Sequence, residues 1–155
     1  MKEIYFDIVR AHAEYGRCID DDRLEDWPDF FAEDCVYRVV TARDHRDGLE
    51  GAIVFANSKG MLRDRVSALR QANVYERQSY RHLIGAPIIL PGDGGLARSE
   101  ASFMVARIMR DGATSLFASG RYLDQWRRAA DGLRLVERIV VCDSQIVDTL
   151  LAIPL

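Results

Sequence analysis

Apolar residues recur along this chain in two rhythms, and the change from one to the other falls near residue 80. In the first part, Ile4, Ile8, Ala11, Tyr15 and Ile19 follow one another at steps of three and four. That spacing lines one face of a helix and predicts a helix over 3–19. Gly16 weakens its last turn by roughly 1 kcal/mol relative to alanine. After the acidic run Asp20–Asp22, Leu24, Trp27, Phe30 and Phe31 form an aromatic stripe. Asp22, with Glu25 three residues on, has the spacing of a capping box for a short helix over 23–31. Pro28 is tolerable only within its first turns. Ala32–Asp34 reads as a turn. Cys35–Arg43 reads as a strand, with Tyr37, Val39 and Thr41 on one face and Val36 and Val40 on the other. Asp44–Gly48 reads as a loop, and Leu49–Ala56 as an irregular strand. Ser58 caps a helix over 59–71, in which Met61, Leu62, Val66 and Leu69 are the apolar positions.

In the second part the rhythm becomes alternation. Residues 81–90 form a strand interrupted by Gly85 and Pro87, which suits an edge or a bulge. PGDGG at 91–95 is a turn. Long strands follow over 98–110, 115–128 and 133–142, the last two joined by a DG-type connection. QIVDTLLAIPL at 145–155 continues this meander. Strands of that length predict a curved sheet, since flat ones would expose too much edge. The helices of the first half are the material available to cover it. The expected fold class is α+β: one roll in which three to four helices pack into the concavity of a mixed, mostly antiparallel sheet. No linker interrupts it, so residues 1–155 read as one domain.

Composition narrows the function. With 48% hydrophobic and 29% charged residues the chain resembles ordinary folded proteins, not disordered ones. Its formal charge of −3 gives no basic excess and argues against nucleic acid. Lys2 and Lys59 are the only lysines, so arginine carries almost all the positive charge. Its rigid fork suits carboxylates at strand ends or subunit contacts; a GC-rich coding bias explains the same count. Cys18, Cys35 and Cys142 are odd in number and widely spaced, which fits buried thiols in a reducing cytoplasm. The first residues mix acidic with apolar side chains, unlike a secretory leader. No run of 18 apolar residues predicts a membrane span.

Candidate chemistry is sparse. His12, His45 and His82 match no metal-ligand spacing. GDGG at 92–95 has no helix after it, so it is a turn and not a nucleotide loop. Tyr15, Asp20, Asp21, Trp27, Tyr37 and His82 are placed to line a pocket between helices and sheet. There an Asp–His pair would serve a small lyase or isomerase on a hydrophobic substrate without cofactor. The plainer reading has the aromatics in the core and the aspartates at caps and turns. Arg121, Asp124, Trp126, Arg127 and Arg128 crowd one strand, either as a wet sheet face or as an interface.

Three segments carry a family resemblance: DDRLEDWPDFFAEDCVYRV at 21–39, RHLIG at 81–85, and ASGRYLDQWRRAADGLRLVERIVVCDS at 118–144. In order and spacing they resemble the small (β) subunits of bacterial aromatic-ring-hydroxylating dioxygenases. The resemblance implies the cone-shaped fold of nuclear transport factor 2. It also implies a supporting subunit without cofactor of its own. A large (α) subunit would carry the Rieske [2Fe–2S] cluster and mononuclear Fe(II), in an α3β3 assembly with contacts between small subunits. Electrons would come from NAD(P)H through a reductase. Carried over by segment, Trp27–Tyr37 would pack the cone interior. His82, Arg121, Asp124, Trp126, Arg127 and the end of the chain would serve core or subunit contacts, with no catalytic assignment. The short form points to an aromatic carboxylate substrate: terephthalate, salicylate, anthranilate or benzoate.

Overall fold

In the computed structural model, residues 1–72, 78–143 and 153–155 are described. The first apolar stripe becomes helix α1, Lys2–Asp20, which buries Ile8, His12, Tyr15, Cys18 and Ile19. Ile4 and Ala11 pack at the margin of the same core. The short helix expected over 23–31 does not form. Asp22 takes a φ of 58°, in the left-handed region, and breaks the chain direction. Only a 3-10 turn, Trp27–Phe30, remains of it, with Pro28 near its start. Asp22 and Glu25 therefore make no capping box. Arg70 holds both carboxylates instead, at 3.0 and 2.7 Å.

Strand β1, Phe31–Thr41, begins before the expected Cys35. An irregularity between Phe31 and Val36 absorbs the residues read as a turn. Thr41 then ends the strand and starts helix α2, Ala42–Arg46, its side-chain oxygen accepting from the Asp44 N–H at 3.1 Å. This cap turns part of the expected loop into helix. The irregular strand over 49–56 shrinks to β2, Val54–Ala56. Helix α3, Lys59–Gln71, forms where its periodicity placed it, with the Ser58 Oγ accepting from the Met61 N–H.

The interrupted strand at 81–90 divides into β3, Gln78–Ile84, and β4, Ile88–Leu90. Both lie against β5, Ala97–Met109, which pairs on with β6, Thr114–Ala129, and then β7, Gly132–Cys142. The sheet runs β2-β1-β7-β6-β5-β3, with β4 also beside β5. Pairing is antiparallel except between β1 and β7, which run parallel. Shifts of register at Val105/Ala106 and at Gln125/Trp126 bend the long strands. The expected α+β roll, a mixed and mostly antiparallel curved sheet, is what forms.

Its concave side is packed with rings. Trp27 is fully buried and meets Tyr37 and Phe31 edge-on at 5.3 and 5.5 Å. Phe103 and Tyr122 stack at 4.5 Å. Each such pair adds about 0.5–1.5 kcal/mol beyond area burial. The fourth meander strand expected over 145–155 falls mainly on 145–152, outside the described residues. Residues 153–155 are not strand, and Ile153 and Leu155 lie in the core at 6% and 0% exposure.

Candidate functional site

Two polar constellations sit between α1 and the sheet. The first is wholly interior. Asp124 on β6 and Arg138 on β7 are register partners, and Arg138 Nε and Nη2 each donate at 2.8 Å to a different Asp124 oxygen. His12 of α1 reaches the same carboxylate, Nε2 to Oδ2, at 3.0 Å. The Arg138 guanidinium lies over the rings of Tyr122 and Tyr15, 3.9 and 4.2 Å from their centroids. Beside it, Trp126 Nε1 donates to Ser99 Oγ at 2.8 Å.

The electrostatics of this cluster are internally balanced. Burial pushes the Asp124 carboxyl up, but the charge and hydrogen bonds of Arg138, aided by His12, outweigh it and hold the group below the usual carboxylate range. Burial lowers the His12 imidazole, and the hydrogen bond to Asp124 recovers only part of that. Burial raises the Tyr15 and Tyr122 hydroxyls, against the pull of Arg138. The arrangement keeps Asp124 and Arg138 charged and His12 neutral. That is a structural ion pair with an imidazole attached, in which neither charge is left to attack or protonate a substrate.

The second constellation lies at the C-terminal end of α1, in a groove of about 720 Å³ between that helix and β3. Here Asp20 Oδ2 accepts from the main-chain N–H of His82 at 2.8 Å, and Oδ1 bonds its ring Nδ1 at 2.7 Å. Gly16 makes room for the imidazole: a Cβ there would lie 3.1 Å from the His82 Cβ. With Nδ1 turned to Asp20, the other ring nitrogen, Nε2, is buried and has no hydrogen-bond partner among the described residues.

The residues expected to share a pocket are thus divided. Asp20 and His82 do meet. Asp21 turns out toward Arg17, at 3.4 Å. Tyr37 and Tyr15 point elsewhere, both donating to the main-chain oxygen of Leu155 at 3.1 and 2.7 Å, while Trp27 packs on Tyr37. The crowded strand is divided too. Side chains on β6 alternate, so Tyr122, Asp124 and Trp126 point inward and Arg121 and Arg127 outward. Trp126 and Asp124, at 2% and 3% exposure, are core residues and not part of an exposed aromatic patch. Arg121 pairs with Glu100 at 3.1 Å, Arg127 with Asp34 at 2.9 Å and Arg128 with Asp7 at 2.9 Å, all at the surface.

Sequence reasoning weighed His12 only as a metal ligand and passed over Ser99 and Arg138. His12 sits beside Ile8, Ala11 and Tyr15 on the buried face of α1, which the helical spacing alone signals. Arg138 is hidden by a bulge. Gln125 pairs with Glu137 but Trp126 with Leu135, so one residue is skipped and Arg138, not Glu137, turns inward.

Among the described residues, no group of three or more His, Cys, Asp or Glu is placed to hold a metal ion. A Rieske cluster needs two His and two Cys ligands, and the described residues bring no such set together.

A bent, mostly antiparallel sheet wrapped around one long helix, with a packed aromatic interior, is the cone of the nuclear transport factor 2 type. Comparison with known proteins places it more narrowly. The family model described as ring hydroxylating beta subunit matches residues 15–149, and the chain belongs to that family. It is 51% identical over 148 residues, 96% of each chain, to the terephthalate 1,2-dioxygenase terminal oxygenase component subunit beta 1 of a Comamonas species. It is 37% identical to the anthranilate 1,2-dioxygenase small subunit of Burkholderia cepacia, over 97% of this chain and 94% of that one. A crystal structure of a Novosphingobium aromaticivorans beta subunit, assigned to the aromatic-ring-hydroxylating dioxygenases, superposes with a TM-score of 0.91. That match has 39% identity and covers 99% of this chain and 98% of the other.

Proposed function

We infer that this chain is the supporting small subunit of a terminal oxygenase that hydroxylates the ring of an aromatic carboxylate. The observation that carries the inference is the end-to-end likeness to a terephthalate dioxygenase beta subunit, 96% of both chains at 51% identity. The geometry agrees with it. In the interior, Asp124 and Arg138 are spent on one another. In this reading the Rieske cluster and the mononuclear Fe(II) belong to a large subunit, with which the chain assembles as α3β3. Electrons reach that subunit from NAD(P)H through a reductase. The substrate is an aromatic acid of the terephthalate, anthranilate, salicylate or benzoate type. A cytoplasmic setting suits three reduced, buried cysteines. Among the described residues no helix is long and apolar enough to cross a membrane.

The test is co-expression with a Rieske-type large subunit from a neighbouring gene. The two chains should co-purify in equal number, and ring hydroxylation should require both. Failure of the chains to associate would end this reading.

A second reading, a stand-alone lyase or isomerase, draws on the Asp20–His82 pair in its groove. Against it, both Asp20 oxygens are engaged by His82 itself, and the free Nε2 has no exposed surface. The pair is better suited to pinning α1 to the edge strand. Turnover of a small carbonyl acid by the purified chain alone, abolished in Asp20→Asn, would favour the enzyme.

A further inference from the structure

The interior of this cone holds an occupant supplied by the chain itself. Residues 153–155 lie in the core, and Leu155 has no exposed surface. Its main-chain oxygen accepts two hydrogen bonds, from the Tyr15 hydroxyl at 2.7 Å and the Tyr37 hydroxyl at 3.1 Å. Its N–H in turn lies 3.3 Å from the Tyr37 oxygen. The two phenols come from α1 and β1, elements 140 and 118 residues away along the chain. The walls are aromatic: Phe31 stands 6.3 Å from Tyr15, and Trp27 5.3 Å from Tyr37.

Two convergent hydroxyls inside an apolar, ring-lined space are how small-molecule pockets fix the polar end of an apolar ligand. A packing contact alone needs no such convergence. A core residue whose carbonyl is bonded within its own strand or helix satisfies it locally. Here, among the described residues, the acceptor is served by side chains, as a ligand's would be.

We propose that Tyr15, Trp27, Phe31 and Tyr37 form a binding pocket for a small apolar molecule bearing a carbonyl or carboxylate oxygen, and that residues 153–155 occupy it in cis. Leu155 stands in for the ligand, its side chain as the apolar body and its main-chain oxygen as the acceptor. Vacating these residues opens the pocket to molecules of the same chemistry. This stands whether or not the chain serves an oxygenase.

The experiment has two arms. In the first, the full chain carrying Tyr15→Phe and Tyr37→Phe is compared with the unaltered chain by ¹⁵N NMR amide exchange. Loss of both hydroxyls should speed exchange at Leu155 on the order of tenfold, given what one hydrogen bond ordinarily contributes. Unchanged exchange in a folded variant overturns the proposal. In the second, a chain ending at residue 152 is titrated with the peptide Ala-Ile-Pro-Leu and, separately, with 4-methylpentanoate, following tryptophan fluorescence. A saturable change in the shortened chain, absent from the full chain and reduced at least fivefold in affinity by Tyr37→Phe, supports it. No saturable change in a folded shortened chain, or an equal change in the full chain, overturns it. If the shortened chain does not fold alone, the peptide should restore its circular dichroism, and failure to do so counts against the pocket.

Discussion

Asp124 and Arg138 face each other across β6 and β7 with no exposed side-chain surface, and two nitrogens of one meet the two oxygens of the other at 2.8 Å. Such a pair is costly to break because the survivor keeps its charge away from water. Arg138→Met should therefore destabilise the chain by about 3–5 kcal/mol. The double variant Asp124→Leu with Arg138→Met should recover most of that loss. Urea titrations of the three proteins check both statements.

His12 makes stability depend on pH in a definite direction. Its folded-state pKa is lowered, first by burial, so the unfolded chain takes up the proton more readily. Stability should hold above about pH 6.5, the ordinary histidine value, and fall as the pH drops below it toward the folded-state value. Asp124 acts in a lower window. Its folded pKa is depressed, so its contribution is present above about pH 3.9 and is lost as the pH falls through the folded value. His12→Gln should flatten the upper limb of the profile and leave the lower one. Urea midpoints measured from pH 7.5 to 2.5 would show this.

Trp126 and Arg127 are neighbours in sequence and opposites in consequence. Trp126→Ala opens a cavity beside Ser99 and should cost about 3–5 kcal/mol. Arg127→Glu together with Arg121→Glu should leave the urea midpoint nearly unchanged, since both side chains are largely exposed. If this face meets another subunit, the double reversal should still lower the fraction of chain recovered in the assembly by size-exclusion chromatography. The reverse pattern, with Trp126→Ala loosening the assembly at unchanged stability, would contradict the inward orientation.

The three cysteines should be inert in the native state. Burial pushes the thiols of Cys18, Cys35 and Cys142 up to about 11, so little thiolate exists at pH 8. Iodoacetamide should label none of them in an hour in buffer and all three in urea, as read by intact mass.

Periodicity carried the long elements because each of them repeats its pattern many times. The stripe from Ile4 to Ile19 and the alternation along β5, β6 and β7 each specify a face over several turns or pairs. Short elements lack that redundancy. Residues 23–31 have helical spacing, yet the left-handed Asp22 and Pro28 override it, and Arg70 claims the would-be capping carboxylates. The site was less legible for a related reason. Treating Arg121–Arg128 as one patch ignored the pleat that sends Trp126 inward and Arg127 outward. The bulge that turns Arg138 inward is set by pairing with β6, which no local pattern in β7 reports. Asp20 and His82 were paired on chemistry, and tertiary contact between α1 and β3 brings them together.

The parallel seam between β1 and β7 shapes the birth of this protein on the ribosome. Val36 awaits Glu137, about a hundred residues downstream. At the usual pace of ~5–20 residues per second, one edge of β1 stays unsatisfied for about 5–20 s of translation. During that time the segment Val36–Thr41, rich in valine, is an open template for a stranger's strand. Chaperone demand should therefore peak late in synthesis and end abruptly when residues 137–142 emerge from the exit tunnel.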